Sequence, residues 1–382
     1  MAYYVTINRE TKPYQLTLDD IINGLDEAKL VVHKDTRDTT TWKVDRISPD
    51  LIDKTNFAAM EYALKCFVEK YAHLIAVEDK SKLYYSFKIA KRSGGLRQID
   101  APEPELKAAL YELKGILEKK FYMSYHTTAF AYVRGRCTID SVKRHQQNKS
   151  RWFLKMDMRH FFPSITPQYL MDMLCMTFPF CSFCSNPRNK KLLEDALSLC
   201  FLNGGLPQGT PTSPMLTNAM MIPMDHAISK YCHEHSPHLC YTRYADDILI
   251  SSEFSFRWDK VQNGINEILK TFRAPFKLNS EKTRYGSSAG RNWNLGVMLN
   301  KDNKITVGHA KKNQFKVMLH QFAMDFKSGK DWDLNDLQHL LGLVSYYRMV
   351  EREVIDDILA RYSEKHQLDI EATVRNLIKI AS

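Results

Sequence analysis

Two adjacent carboxylates lie between two short runs of strand-forming residues, and this segment constrains the fold more than any other. It reads Tyr-Thr-Arg-Tyr-Ala-Asp-Asp-Ile-Leu-Ile-Ser over residues 241–251. Two strand halves joined by Ala-Asp-Asp predict a tight β-hairpin with Asp246 and Asp247 at its turn. Like charges at a turn are unfavourable unless a cation offsets them, and Mg²⁺ prefers carboxylate oxygens and substrate phosphates. The pattern therefore indicates a magnesium site, and the alternative is an acidic surface turn.

The composition is that of a globular protein with a basic surface. Of 382 residues, 44% are apolar and 26% charged, and the formal net charge is +10. This length suffices for several packed lobes, and the positive charge favours a polyanionic partner such as nucleic acid. The N-terminus has no signal-peptide pattern and no apolar run reaches membrane-spanning length. We therefore expect a cytoplasmic protein without a membrane partner.

The cysteines allow two interpretations. Cys181 and Cys184 form a CxxC pair, and Cys232 and Cys240 follow with histidines between them. Together they could form a tetrahedral zinc site. Because the first pair lies among phenylalanines, buried thiols that act as small hydrophobes are the favoured interpretation.

A third carboxylate, Asp157, ends an apolar strand, and the aromatic residue Phe162 follows five residues later. An acid at the end of a buried strand is costly unless it has a function, although it could also cap a helix. Three carboxylates in two segments suit phosphoryl transfer assisted by two Mg²⁺ ions, which stabilise the attacking and leaving oxygens.

Between these carboxylates lies a loop rich in glycine and proline, over residues 203–214. Its composition predicts a rigid loop whose backbone, at Gln208 and Gly209, can approach a ligand closely.

Basic residues occur in separate clusters. Lys91 and Arg97 flank a Gly-Gly turn between two predicted strands, and such a hairpin can close over a triphosphate. Basic and aromatic side chains further on predict a channel for nucleic acid, because guanidinium groups and rings bind phosphates and bases. The alternative for each cluster is solvated surface charge. The residues assigned to nucleic-acid binding are Arg134, Arg136, His145, Lys311 and Lys312.

These segments resemble, in order, the sequence motifs of reverse transcriptases. The fingers motif is matched by residues 91–102, motif A by 153–165, motif B by 206–214, motif C by 244–247, motif D by 279–283 and motif E by 295–296. The resemblance covers about residues 83–350 and is closest in character to retron, group II intron and defence-associated enzymes of prokaryotes.

The resemblance implies an α+β right-hand polymerase fold with fingers, a palm of antiparallel sheet plus helices, and a helical thumb. The implied domains are an N-terminal helical extension over 1–82, fingers over 83–150, a palm over 151–300 that includes part of the fingers, and a thumb over 301–382.

The resemblance also implies residue roles, with two Mg²⁺ ions as cofactors and deoxynucleoside triphosphates (dNTPs) as substrates. Asp157, Asp246 and Asp247 would be catalytic and would bind the metal together with the Met158 carbonyl. Phe162 falls where the family has an aromatic gate against a 2′-hydroxyl. The residues expected to contact the nucleotide are Lys91, Arg97, Phe162, Gln208, Gly209 and Lys282, of which Lys282 is a candidate general acid.

The implied function is RNA-directed DNA synthesis that makes cDNA from a dedicated non-coding RNA in antiphage defence, with an effector protein or a second copy as a possible partner. One alternative is a retron enzyme that starts from an RNA 2′-hydroxyl. Another is template-independent or protein-primed synthesis, for which Tyr3, Tyr4 and Tyr14 are candidates. A nucleic-acid-binding scaffold without activity is disfavoured by the complete set of aspartates.

Overall fold

A computed structural model describes residues 30–34, 42–46, 57–90, 95–121, 125–288, 296–300 and 302–381. The two strands between residues 30 and 46, and residues 97 and 298, are described by their backbone alone. Tyr3, Tyr4 and Tyr14 lie outside the described residues. None of the described helices combines the length and the apolar composition needed to cross a bilayer.

The elements alternate between helices and short strands. The strands are β1 Leu30–Lys34, β2 Trp42–Arg46, β3 Tyr84–Ala90, β4 Leu96–Pro102, β5 Trp152–Arg159, β6 Cys240–Tyr244, β7 Asp247–Ser252, β8 Lys277–Leu278, β9 Arg284–Ser287, β10 Met298–Leu299 and β11 Ile305–Thr306. The helices are α1 Phe57–Lys70, α2 Ala72–Ile75, α3 Pro104–Lys120, α4 Thr138–Gln147, α5 Phe161–Ser164, α6 Pro167–Cys175, α7 Phe180–Cys184, α8 Pro187–Leu197, α9 Ser213–Met220, α10 Ile222–His235, α11 Trp258–Thr271, α12 His309–Lys327, α13 Leu334–Lys365 and α14 Ile370–Ala381.

The chain divides into two compact units. The first comprises residues up to Arg136, Lys155–Ile250 and Arg257–Arg284, and the second comprises Cys137–Leu154, Ser251–Phe256 and Tyr285–Ser382. The expectation of a helical N-terminal extension is wrong for the described residues before Phe57, because β1 and β2 pair there as an antiparallel hairpin.

A five-stranded sheet with the order β6-β7-β5-β8, in which β9 also pairs with β5, positions the acidic residues of the first unit. Its central strands are apolar where they are buried, as at Met156 and Met158 of β5 and Ile248 and Ile250 of β7. Because side chains alternate along a strand, β5 can bury these methionines while Asp157 points to the other face. The sheet thus carries an acidic residue at the end of a buried strand without placing it in the core.

Helices of the first unit bury one face each. On α1 the buried residues are Met60, Leu64 and Phe67, the spacing expected for one face of a helix. Phe121, just after α3, stacks on Phe180 of α7 with ring centroids 4.9 Å apart. The CxxC pair therefore lies on a helix whose phenylalanines belong to the core.

The second unit has a core formed by α12, α13 and α14. The sequence predicts a gap between two helices near residues 350–354, and the structure confirms it as a kink in α13, where Glu351 has φ −141° and ψ 67°. The Glu351 carboxylate accepts hydrogen bonds from the Val307 N–H (2.9 Å) and the Thr306 hydroxyl (2.8 Å), and it pairs with Lys312 at 3.0 Å. The kink thus supplies a largely buried acceptor that holds β11 and the start of α12.

We expect Glu351→Ala to lower the free energy of unfolding by about 2–4 kcal/mol, because it leaves a buried N–H and an ammonium group without their acceptor. Chemical denaturation monitored by circular dichroism measures this loss. Glu353→Ala, two residues along the same helix and exposed, is the matched control and should change stability by less than about 0.5 kcal/mol. Equal effects of the two substitutions would contradict the assigned role.

Candidate active site

The Asp-Asp segment forms the predicted tight hairpin. β6 ends at Tyr244 and β7 begins at Asp247, so Ala245 and Asp246 make the turn. Ala245 has φ +56°, a left-handed conformation that is unfavourable for alanine. The surrounding structure must therefore hold this turn in place.

Backbone hydrogen bonds join this turn to the strand that carries Asp157. The Met158 N–H donates to the Asp246 carbonyl at 3.0 Å, and the Asn279 N–H donates to the Asp157 carbonyl at 2.7 Å. Residues from three separate segments are thereby fixed relative to one another by the backbone rather than by mobile side chains.

Asp157 and Asp246 line one cavity of about 690 Å³, whose other walls include Phe162, Gln208 and Lys282. With Met158, which also lines the cavity, six predicted site residues are therefore brought together. The cavity is large enough for a drug-sized ligand, a range that includes a nucleotide.

Lysines neutralise two of the three carboxylates. Lys282 Nζ lies 3.0 Å and 3.2 Å from the two Asp157 oxygens, and Lys155 Nζ lies 3.0 Å from an Asp247 oxygen. Burial raises the pKa of Asp246 above its ordinary value, and the negative charges of Asp247 and Asp157 raise it further. The surroundings of Asp246 thus disfavour its charged form.

The predicted three-carboxylate metal cluster is not formed in this conformation. In the described part of the chain, no three Asp, Glu, His or Cys side chains are arranged to hold a metal ion. The physical reason is that Asp247 pairs with Lys155 and does not line the cavity. The donor chemistry nevertheless fits Mg²⁺, because Asp157 and Asp246 offer oxygens to one polar cavity and their mutual repulsion favours a cation.

The glycine-rich loop packs closely against two other segments. The Asp100 N–H of β4 donates to the Gln208 carbonyl at 3.1 Å. Gly209 has φ +126°, and a Cβ there would lie 2.9 Å from the Asp100 carbonyl oxygen. Gly205 approaches Pro163 so closely that a Cβ would overlap its carbonyl group. The loop therefore fixes Gln208 beside β4 and also abuts the segment of Phe162.

Phe162 lies on the short helix α5, directly after the strand that carries Asp157. Its ring meets that of the buried Phe161 edge to face, with centroids 5.5 Å apart. Its carbonyl accepts a hydrogen bond from the Leu206 N–H at 3.1 Å. The aromatic ring is thus held at the cavity wall by both the core and the glycine-rich loop.

Two predicted nucleotide contacts cannot be placed. Lys91 lies outside the described residues, and only the backbone of Arg97 is described. The hairpin that was predicted around them is confirmed, because β3 and β4 pair from Tyr84 opposite Pro102 to Ala90 opposite Leu96.

The prediction that His145 contacts nucleic acid is wrong. Its side chain is fully buried, and Nδ1 lies 2.5 Å from the Ser251 hydroxyl. Burial lowers the pKa of His145 to about 3, with a smaller contribution from Arg144. A neutral histidine in the core cannot bind phosphate, so His145 has a structural role.

Three more of the predicted nucleic-acid contacts are engaged within the protein. Arg136 donates to the carbonyls of His126 (2.6 Å) and Ala129 (2.7 Å). Lys311 donates to the Gly296 carbonyl at 2.7 Å, and Lys312 pairs with Glu351. Their charge is therefore used to fix local structure. Of the predicted set, Arg134 is exposed.

The cysteines do not assemble into the zinc site considered from the sequence, at least among the residues that the structure describes. The thiol of Cys184 lies at hydrogen-bonding distance from that of Cys175, which raises the pKa of Cys184. Cys232 is fully buried on α10, and burial raises the pKa of its thiol.

Sequence reasoning missed three residues around the site. Gln98 and Asp100 line the cavity, where the Gln98 amide donates to Asp100 at 2.8 Å, and Lys155 is the partner of Asp247. The spacing of these residues in the sequence could have identified them, because residues two apart on a strand share a face. Gln98 and Asp100 follow that spacing on β4, as Lys155 and Asp157 do on β5.

An antiparallel sheet that brings an aspartate beside an Asp-Asp turn, on the floor of a nucleotide-sized cavity, is the palm of a template-directed polymerase. The family model described as reverse transcriptase (RNA-dependent DNA polymerase) matches residues 89–319. The chain belongs to this reverse transcriptase family, and the α+β polymerase fold predicted from the motifs is confirmed.

Two curated relatives agree with this assignment. The chain is 31% identical over 293 residues to the retron Ec83 reverse transcriptase of Escherichia coli, which covers 74% of this chain and 87% of the relative. It is 26% identical over 283 residues to the retron Ec73 reverse transcriptase of the same organism, covering 72% and 86%. Among solved structures, a telomerase from Candida albicans in complex with a fragment of telomeric RNA matches with a TM-score of 0.44 and 14% identity, over 90% of this chain and 69% of that one.

We expect Gly205→Ala to lower kcat/KM for nucleotide incorporation about tenfold or more, because the added methyl group must displace Pro163 and with it Phe162. Steady-state primer extension measures this change. Gly204→Ala is the matched control, since its Cβ would enter open space and meet only the cost of a left-handed φ of +79°, about 1–2 kcal/mol. An equal loss of activity in both variants would show that the close approach to Pro163 is unimportant.

Proposed function

We propose that this reverse transcriptase copies a non-coding RNA into DNA by metal-assisted addition of dNTPs to a primer, with Asp157, Asp246 and Asp247 as the catalytic carboxylates. The observation that carries the proposal is that Asp157, Asp246, Phe162 and Gln208 line one cavity. The carboxylate pair can hold metal ions for a triphosphate, and the aromatic ring and the glycine-rich loop can position the rest of the nucleotide.

The oxygen donors that we assign to two Mg²⁺ ions are the three carboxylates and the Met158 carbonyl. Bound Mg²⁺ supplies charge neutralisation for the triphosphate and for the departing pyrophosphate. The protein's own contribution is to hold the donors on paired backbone segments, as the bond from the Met158 N–H to the Asp246 carbonyl does. Catalysis of this kind depends on positioning and needs no protein nucleophile.

The ammonium group of Lys282 is well placed to act on the phosphates. It lines the cavity and its side chain is 63% exposed, so its contact with Asp157 is easily exchanged. We assign Lys282 to proton donation toward the leaving pyrophosphate. Gln208, Gly209, Phe162 and the basic hairpin residues Lys91 and Arg97 are assigned to nucleotide binding (Arg134 is the nucleic-acid contact retained).

We further propose a dedicated non-coding RNA as the template and a role in antiphage defence with an effector protein or a second copy as partner. The retron alternative, which starts from an RNA 2′-hydroxyl, is favoured by the similarity to two retron reverse transcriptases. Template-independent or protein-primed synthesis is the alternative, and the tyrosines that are candidates for protein priming lie outside the described residues. The domain boundaries at residues 82, 150 and 300 belong to the same proposal.

The decisive experiment is DNA synthesis by the purified protein together with the RNA that copurifies with it. We expect Asp246→Asn to lower dNTP incorporation at least about a hundredfold, because the amide removes a charged metal ligand without changing the side-chain volume. Incorporation of radiolabelled dNTPs measures the rate.

Asp259→Asn is the control, since Asp259 is a surface residue that pairs with Arg257 outside the cavity. Unchanged synthesis by Asp246→Asn, or no synthesis by the parent protein with its own RNA, would refute the proposal. Treating the product with a debranching enzyme tests the primer: release of a linear DNA supports the 2′-hydroxyl, whereas DNA that stays attached to protein supports protein priming.

We expect Phe162→Ala to raise ribonucleotide incorporation relative to deoxynucleotide incorporation about ten- to a hundredfold, because removing the ring opens space beside the sugar. Competition between matched rNTP and dNTP substrates measures the ratio. Phe162→Tyr keeps the bulk of the ring and should retain the parent preference. A parent-like ratio in Phe162→Ala would remove Phe162 from the sugar-selecting role.

A further inference from the structure

A fully buried ion pair lies directly beneath the catalytic turn. The side chains of Arg243 on β6 and Asp225 on α10 are both 0% exposed. Arg243 Nε and one terminal nitrogen donate to the two Asp225 oxygens at 2.8 Å and 2.7 Å, and the Tyr241 hydroxyl donates to the same carboxylate at 2.7 Å. This arrangement fixes the guanidinium plane, because a two-pronged contact allows only one orientation.

The remaining terminal nitrogen of Arg243 reaches the turn itself. It donates to the Ala245 carbonyl at 3.1 Å and to the Asn218 side-chain oxygen at 3.0 Å. Ala245 is the residue with the left-handed φ of +56°, and Asp246 follows it. The guanidinium group thus holds the peptide that precedes the catalytic carboxylate.

The same cluster is anchored to further segments of the first unit. The Asn218 amide on α9 donates to the Ala131 carbonyl at 2.7 Å. The backbone of Arg243 pairs with the neighbouring loop, accepting from the Phe130 N–H at 3.0 Å and donating to the Thr128 carbonyl at 2.8 Å. Movement of the guanidinium group would therefore have to move several packed elements together.

Stability alone does not account for this pair. A buried ion pair has a large desolvation cost, and apolar side chains of similar volume often stabilise a core equally well or better. An apolar pair, however, cannot donate a hydrogen bond to the Ala245 carbonyl. A hydrogen bond to the turn is thus something that a buried arginine supplies here and an apolar pair could not.

We propose that Arg243 is a positioning residue, which holds the Ala245 carbonyl from below while Met158 holds the Asp246 carbonyl from the side, so that the Asp246 carboxylate faces the cavity it shares with Asp157. This inference rests on the proposed catalytic role of Asp246. It assigns to the buried ion pair a direct consequence for metal affinity and for the rate of the chemical step.

The test uses the triple variant Arg243→Met, Asp225→Leu, Tyr241→Phe in the full chain, which removes the buried charges and the hydroxyl group together. We expect the melting temperature to fall only modestly, because apolar groups refill the pocket and offset most of the cost of leaving the Ala245 carbonyl and the Asn218 oxygen without their donor. We expect kcat at saturating Mg²⁺ to fall about ten- to a hundredfold, with the KM for dNTP changed less than about twofold, because misplacement of a catalytic group affects the reacting geometry more than substrate binding.

Binding of Mn²⁺ to the free protein, followed by electron paramagnetic resonance, gives a readout that does not depend on catalysis. We expect the triple variant to bind Mn²⁺ about tenfold more weakly than the parent. Tyr241→Phe alone is the matched control and should keep parent values of kcat and Mn²⁺ affinity, because it leaves the Ala245 contact in place.

A folded triple variant with parent kcat and parent Mn²⁺ affinity would overturn the proposal. If the triple variant does not fold, Arg243→Lys decides the question, since it keeps the charge but loses the planar fork: parent values overturn the proposal, and a fall in kcat with unchanged KM supports it. If the parent protein makes no DNA, the proposed function fails, whereas the comparison of Mn²⁺ affinities still tests the positioning of Asp246.

Discussion

The hydrogen bond from the Met158 N–H to the Asp246 carbonyl is the contact on which the candidate site depends. It joins the end of β5 to the turn between β6 and β7. Without this register, Asp157 and Asp246 would not face the same cavity, because a slip of one residue moves every side chain of a strand to the other face. The acidic site is therefore a consequence of strand pairing, and backbone hydrogen bonds fix the relative positions of its carboxylates.

Bringing carboxylates together in this way has an electrostatic cost, which the two lysines offset unequally. The Lys282 side chain is 63% exposed, whereas those of Lys155 and Asp247 are 30% and 24% exposed. An exposed ion pair is screened by water and contributes little to stability, so the contact of Lys282 with Asp157 is readily broken. The contact of Lys155 with Asp247 is more protected. We therefore expect Asp157 to exchange its lysine for a metal ion more readily than Asp247 does.

Sequence patterns predict those parts of the structure that residues close together in the chain determine. Alternation of apolar and polar residues predicts the two hairpins and the strand before Asp157. Glycine content predicts the close-packed loop, and helical spacing predicts the break in α13. His145 was misassigned because its environment is set by Ser251, which is 106 residues away along the chain. The partner of Lys312, Glu351, is likewise distant, at 39 residues along the chain. The sequence alone does not distinguish a basic residue that faces solvent from one that pairs with an acceptor inside the protein.

The glycine-rich loop makes two close approaches to other segments that line the cavity. Gly205 meets Pro163, beside Phe162, and Gly209 meets the Asp100 carbonyl on β4. Neither contact leaves room for a Cβ, so the loop packs directly against both segments. Because Gln208 also accepts a hydrogen bond from the Asp100 N–H, the loop cannot slide along β4 without breaking that bond. The proposed selection by Phe162 and the proposed nucleotide contact by Gln208 would therefore be coupled, because the same loop holds both residues at the cavity.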